Sequence, residues 1–371
     1  MSNVLPLATR VLLASALSEG NSIRATSRMT GVDKNAAMEF GLRVGEGCIH
    51  LHNRLVRGLA AYSIQADEQH SFISKKEAHL EPGDPEDFGE IWTYVALDAV
   101  TKMVIAFAIG KRDQLTTDAF IADVRARVTV VPRFTTDGLD LYPSAIKKSF
   151  GASVDYAQLV KHYDRKPRGN HDDRFPLPEQ SFVTKTVISG SPDLSQCSTS
   201  HVERFNLSTR HTVGRKRRRC LAFSKTVRGH RAAVGLSFAA YNFCKIDGSL
   251  DETPAMAAKL TDHPWTMEEL VTAALAEEPT AAPVAQPLAL PAGHGAARQL
   301  PNGGWLRVVD SKGVPATLTP APVAPAVPSV EASAVASSAA PVDDRQLDLL
   351  AWAQPAKPLP PKGQLSLFDD D

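Results

Sequence analysis

Ala61-Tyr-Ser-Ile-Gln-Ala-Asp67 runs apolar and aromatic residues up to an acidic pair, Asp67-Glu68. Two further runs follow it: Ile91-Trp-Thr-Tyr-Val-Ala-Leu97 and Met103-Val-Ile-Ala-Phe-Ala-Ile-Gly110. Both are rich in β-branched and aromatic residues, which suit a pleated, half-buried surface. Asp98–Lys102 turns between them, so the pair reads as a hairpin. Thr116–Val128 is then an amphipathic helix, and Arg133–Thr136 is a short strand ending at Asp137-Gly138. Pro143–Phe150 is a helix with Pro at its start and Gly151 just past its end. Ser153–Val160 is another strand, and Ser200–Phe243 is mostly helical. Between these, residues 164–197 are rich in Pro, Gly and Asp and hold one further candidate strand, Phe182–Ile188. Strands interleaved with helices give a mixed α/β fold.

The residues before this core read as helices. Pro6–Ser18 is apolar at helical spacing, and Glu19-Gly-Asn21 breaks it. Ser22 caps a second helix, Ile23–Met29; Gly31 supplies the turn, and Asp33 caps a third, Lys34–Val44. Two helices joined by a short Gly-containing turn form a helix-turn-helix pattern. Composition changes after residue 275. The last 96 residues hold 15 of the 26 prolines, with Ala/Pro/Val/Ser stretches that bury too little area to offset their ordering entropy. They are expected to be mostly disordered, apart from a small hairpin of Trp305–Val309 with Val314–Leu318. The expected divisions are therefore 1–58 (helix-turn-helix), 59–250 (α/β core), 251–275 (helical extension) and 276–371 (tail).

Lys+Arg and Asp+Glu both total 41, so net charge argues neither for nor against nucleic acid. The four cysteines (Cys48, Cys197, Cys220, Cys244) are scattered, with no CxxC pair. That excludes a zinc ribbon and fits a reducing cytosol. No apolar window is long enough to span a membrane, and no secretory leader is visible.

Three acids stand where such a core would expose them: Asp67 closing one strand, Asp137 closing another, and Glu203 opening a helix. Hard divalent cations take a few carboxylate oxygens plus water and phosphate, and a pair of them serves phosphoryl transfer. Asp98 also closes an apolar strand, but the hairpin turn explains it. Glu203, Asn206 and Arg210 lie at i, i+3 and i+7, on one helix face. From Arg204 to Lys245 there are 11 Lys/Arg and no Asp/Glu, densest at Arg215-Lys216-Arg217-Arg218-Arg219. Bordered by apolar, helix-like sequence, that block reads as a basic patch on a folded element, suited to phosphate.

The ordered set resembles bacterial DDE-type insertion-sequence transposases, specifically the insertion sequence one family. The residues that carry the resemblance are Ala66-Asp67-Glu68-Gln-His-Ser-Phe72, Ile91-Trp-Thr-Tyr-Val-Ala-Leu-Asp98 and Thr135-Thr-Asp137-Gly138. They continue with Thr199-Ser-His-Val-Glu203-Arg-Phe-Asn206-Leu-Ser-Thr-Arg210, Phe223-Ser-Lys225, Tyr241-Asn-Phe-Cys244 and Thr261-Asp-His-Pro-Trp265. The resemblance covers roughly residues 5–275. It implies an RNase H-like catalytic domain: a mixed five-stranded sheet with flanking helices. It also implies Asp67, Asp137 and Glu203 as a catalytic, metal-binding triad for two Mg2+ ions, with Mn2+ able to substitute. Asn206, Arg210 and Arg215–Arg219 are then expected on DNA phosphate. Lys34, Asn35 and Arg43 are expected on the recognition helix, reading the terminal inverted repeats of double-stranded DNA. A homodimer or larger assembly on DNA, in the bacterial cytoplasm and nucleoid, is implied as well. Two departures are visible. His70 stands where the family usually has an aromatic residue, and the chain has no N-terminal cysteine motif. A catalytically silent DNA-binding protein and an RNase H-like nuclease without strand transfer both stay open as alternatives.

The tail lies outside this resemblance. It holds Gln364-Leu365-Ser366-Leu367-Phe368, with a weaker copy at Gln346-Leu-Asp-Leu-Leu350. The pentapeptide closely resembles the one by which many proteins bind the bacterial sliding clamp, so that clamp is an expected partner.

Overall fold

The computed structural model describes residues 4–164, 179–217, 220–277, 298–299 and 305–306. The chain divides into two units, Met1–Pro320 and Ala321–Asp371, and every described residue lies in the first. The clamp-like segment Gln364–Phe368 lies outside the described residues, as does most of the tail. Within it, Trp305–Leu306 pairs antiparallel with Arg298–Gln299, upstream of the partner expected from the sequence.

The expected α/β core is present, built on a mixed sheet of order β3-β2-β1-β4-β5-β6. Strand β1 (Ser63–Ile73) runs antiparallel to β2 (Gly89–Asp98), and β2 to β3 (Val104–Gly110). On its other side β1 is parallel to β4 (Arg133–Thr136), and β4 to β5 (Tyr156–Asp164). The sheet has six strands where five were expected. The sixth, β6 (Glu179–Ser189), returns antiparallel along the whole of β5. Its middle is the candidate strand Phe182–Ile188, built on the strand-forming Phe182, Val183, Val187 and Ile188; the five-stranded sheet implied by the resemblance left it out. They remain partly exposed there.

Helices cover both faces. Between strands β3 and β5 come α4 (Gln114–Arg127) and α5 (Tyr142–Phe150). Their Phe120, Ile121, Val124, Ala145 and Ile146 pack in the core with Ile64, Ala66, Tyr94 and Phe134. Next come α6 (Ser200–Thr212) and α7 (Val227–Ala239), which close a second cluster of Val202, Phe205, Val234 and Phe238 with Val95, Leu97 and Val104. The helical run 200–243 is thus two helices, and its end widens into a π-helical turn at Ala240–Cys244.

The N-terminal helices are α1 (Leu7–Ser18), α2 (Ile23–Thr30) and α3 (Lys34–Leu55). The expected caps are made: Ser22 accepts from the Ala25 N–H, and Asp33 from those of Asn35 and Ala36. Helix α3 runs eleven residues past its expected end at Val44. Gly45 and Gly47 look like helix breakers in the sequence, but here they are contact points. A Cβ on Gly45 would lie 2.2 Å from the Ala232 carbonyl oxygen of α7. One on Gly47 would lie 2.0 Å from that of Ala274, in the last helix (Met267–Ala276). The second half of α3 is therefore held against the α/β core. His52 Nε2 meets the Ile105 carbonyl of β3 at 3.1 Å, and Arg127 of α4 donates to the His52 and Val56 carbonyls. Among the described residues no helix is long and apolar enough to cross a membrane.

Candidate metal centre

Alternate residues of a strand point to the same face, and in β1 these are Gln65, Asp67 and Gln69. All three bind α6. Gln65 accepts from the His201 and Val202 N–H groups at 3.0 and 3.1 Å, satisfying donors at the start of the helix. Asp67 Oδ2 accepts from Asn206 Nδ2 at 2.8 Å. Gln69 donates to the Asn206 carbonyl and to Thr209 Oγ1, both at 2.7 Å. This polar ladder fixes α6 along the central strand and so places Glu203, in its first turn, near Asp67. The ladder escaped the sequence reading. Its signal is the period-two spacing of two glutamines around Asp67.

Asp67 was expected to close its strand, but β1 runs on to Ile73 because its pairing with β2 continues past the acids. Asp137 directly follows β4, which lies parallel to β1, so the two aspartates stand side by side, one within β1 and one just past β4. Asp137 accepts from the Leu139 N–H at 3.2 Å. One oxygen each of Asp67, Asp137 and Glu68 lie within 4.8 Å of one another. Glu203 stands outside that group, bonded to the Lys161 ammonium of β5 and to Thr199 Oγ1. Its charge still raises the carboxyls of Asp67 and Asp137. Asp98 is occupied as the hairpin turn demands, accepting from the Val100 and Thr101 N–H groups and the Thr101 hydroxyl.

The carboxyls crowd one another. Burial, then the charge of Asp137, push Asp67 up to about 6 against the opposing bonds from Asn206 and the Glu68 N–H. Burial and Asp137 likewise push Glu68 up to about 7, with Arg112 opposing. Asp137 is raised mainly by burial. An all-oxygen donor set short of positive charge fits a hard divalent cation such as Mg2+ or Mn2+. Asn206 agrees with this: it is 4 % exposed, and its Oδ1 is buried without a hydrogen-bond partner.

The raised Asp67 carboxyl makes metal-free stability pH-dependent. The folded form holds its proton to higher pH than the unfolded chain, so that contribution is complete below about pH 4 and is lost as pH rises through about 6. At about 1.4 kcal/mol per pKa unit, a rise from 3.8 to about 6 corresponds to a loss on the order of 3 kcal/mol. Urea unfolding in EDTA at pH 4.5 and 7.5 checks it: the wild type should lose stability relative to Asp67→Asn across that interval. Parallel pH curves for the two proteins would contradict it.

The basic residues separate. Lys34, Asn35 and Arg43 are exposed on the first half of α3, and Arg217 is exposed after α6. Arg210 is half-buried on α6, and so is Arg215 in the following turn. Lys216 departs from its expected place on the basic surface. It is 5 % exposed, donates to Gln69 Oε1 at 2.6 Å, and is pushed down to about 7 by burial and by Arg210. The turn after α6 points it inward, onto the ladder that holds the helix. Arg218 and Arg219 lie outside the described residues.

The sequence matches no protein-family model and no curated protein. Among solved structures, it is similar to a pre-cleavage Mos1 transpososome, with 12% identity over 74% of this chain and 80% of that one, at a TM-score of 0.25. A Mos1 strand transfer complex gives 11% identity over 64% and 78%, at 0.18. The Mos1 mariner paired end complex with Mn gives 13% over 42% and 60%, at 0.16. Likenesses this slight bear on neither the fold nor the chemistry of the chain.

Of the acids in the centre, Glu68 was not among the expected ligands. Its signal is the adjacent pair Asp67-Glu68, in which Glu68 stands only as the alternative to Asp67.

Proposed function

We propose that this protein is a DDE-type transposase of the insertion sequence one type, cutting and joining DNA at the ends of its own element. The observation that carries the reading is the convergence of Asp67 and Asp137 from adjacent parallel strands, with the helix bearing Glu203 tied to Asp67 through Asn206. The resemblance in the sequence implies these same residues, and the sheet order with β6 set aside fits the RNase H-like arrangement it implies.

When bound by these carboxylates, Mg2+ or Mn2+ would supply charge that activates an attacking hydroxyl and stabilises the leaving oxygen. The chain's own contribution is position. Asn206 fixes the orientation of Asp67, and Gln65 and Gln69 fix the helix that carries Glu203. Lys161 beside Glu203 and Arg112 beside Glu68 are fixed cations flanking the carboxylates. They temper the repulsion among the acids and favour phosphate nearby. The exposed Lys34, Asn35 and Arg43 of α3 would read the terminal repeats, and Arg210, Arg215 and Arg217 would hold backbone phosphate.

The test is a gel assay with DNA carrying the repeats that flank the gene, a target plasmid and Mg2+. Cleaved ends joined to target support the reading. Cleavage without joining selects the nuclease alternative, and binding without cleavage selects the silent DNA-binding protein.

The two DNA contacts are separable. Substituting Lys34, Asn35 and Arg43 by Ala should narrow the affinity gap between element ends and random DNA. Arg217→Gln should weaken binding to both alike and reduce the salt slope by about one. Fluorescence anisotropy at several salt concentrations measures both effects. Equal losses on the two DNAs from the α3 substitutions would remove α3 as the reading helix.

A further inference from the structure

Glu68 sits in the metal centre in a way that its ion pair with Arg112 does not explain. Its side chain is 1% exposed. It leaves β1 on the face opposite Asp67, toward α5, where its two oxygens are held separately. Oε1 accepts from both Arg112 Nε, at 3.0 Å, and Arg112 Nη2, and Oε2 accepts from the Tyr142 hydroxyl at 3.1 Å. Arg112 is itself fixed, with its guanidinium 4.6 Å from the centre of the Trp92 ring. Tyr142 is fully buried. Yet the longer glutamate chain brings an oxygen within 4.8 Å of both Asp67 and Asp137.

A carboxylate that served only to neutralise Arg112 gains nothing from lying against two more carboxylates. Like charges at such separations in a buried setting are costly unless a proton or a cation joins them. Once fully ionised, as metal binding requires, three carboxylates and one guanidinium leave the group two charges short. Beside it lies the buried, unpartnered Oδ1 of Asn206, an acceptor with nothing to accept from.

From this geometry we infer that Glu68 is a further metal ligand, binding a divalent cation together with Asp67 and Asp137, while Arg112 and Tyr142 hold its carboxylate in place. The inference rests on the metal-centre reading above and adds a carboxylate to the expected triad. Oε1 is filled by its two bonds from Arg112, but Oε2 has only the Tyr142 hydroxyl and keeps a second lone pair able to coordinate.

The test is Mn2+ binding to the full-length protein without DNA, followed by the electron paramagnetic resonance signal of free Mn2+. Wild type, Asp67→Asn, Glu68→Gln and Glu68→Asp are compared, and melting in EDTA checks that each is folded. Glu68→Gln should weaken Mn2+ binding roughly tenfold or more. Glu68→Asp keeps the charge and the pairing with Arg112 in kind but withdraws the carboxylate by one methylene, and should weaken binding severalfold. Should Glu68→Gln fail to fold, Glu68→Asp decides by the same readout. Loss of binding in Asp67→Asn with unchanged binding in both Glu68 variants would overturn the inference and leave the metal centre standing. Unchanged binding in Asp67→Asn as well would overturn both.

Discussion

Asp67→Asn, Asp137→Asn and Glu203→Gln should each reduce strand cleavage and joining by about a thousandfold or more, with DNA binding retained. Each change removes one charge at nearly constant shape. In Asp67→Asn the new amide oxygen can still accept the Asn206 side-chain hydrogen that Oδ2 accepts at 2.8 Å, so α6 should keep its place. For Asp67 and Asp137 the change also relieves crowding among buried carboxyls, so metal-free stability should hold or rise. Glu203→Gln is the sharper case, because Glu203 is paired with Lys161 and stands apart from the tight group. Loss of activity there as complete as for the aspartates is the expected result in the gel assay. Near-normal cleavage by Glu203→Gln, with Asp67→Asn inactive, would make Glu203 a partner for Lys161 and nothing more.

The second large effect is on stability. Gly45→Val and Gly47→Val put side-chain atoms where backbone already lies, because even a Cβ would fall 2.2 Å from the Ala232 oxygen and 2.0 Å from the Ala274 oxygen. Backbone cannot rotate aside as a long side chain can, so α3 must separate from α7 or from the last helix. Overpacking of this kind costs about 3 kcal/mol or more. Gly31→Ala is the control. Its φ of 71 is unfavourable for a side chain, but nothing lies within 4 Å of the added Cβ. It should cost about 1 kcal/mol. Urea midpoints measured in parallel decide the matter. A smaller loss at Gly45 than at Gly31 would mean that the long helix is not packed on the core as described.

Those glycines also mark where the sequence was hardest to read. A glycine pair at 45 and 47 is a local argument against helix, and only the approach of two other helices reverses it. The strands were legible because their apolar runs are long and bounded by turns. Asp98–Lys102 announced its hairpin, and Asp98 proved to be the turn residue that its position implied. Strand β6 was only half visible. It pairs along one side with β5 and keeps Phe182 and Val187 exposed, so no buried face imposes an alternating pattern on it. In the site, Asp137 was legible as an acid ending its strand; Asp67 was legible as an acid on the first strand, though that strand runs on to Ile73 instead of closing there. Glu68 and Lys216 were not, for opposite reasons. Strand alternation puts Glu68 on the face opposite Asp67, where it is, and only the reach of its side chain brings an oxygen back to the aspartates. A run of five basic residues assigns Lys216 to the surface, and one turn of backbone directs it to Gln69 instead.

The central claim is that these carboxylates form one metal centre for DNA cleavage and joining. Crystals of the protein with an uncleaved element end, soaked in Mn2+ and measured at the manganese absorption edge, test it most directly. The account predicts anomalous peaks within about 2.0–2.4 Å of Asp67 and Asp137 oxygens, with the scissile phosphate against them and Glu203 turned from Lys161 toward the metal. Saturating Mn2+ bound elsewhere on the protein, with the space between Asp67 and Asp137 holding only water, would contradict it.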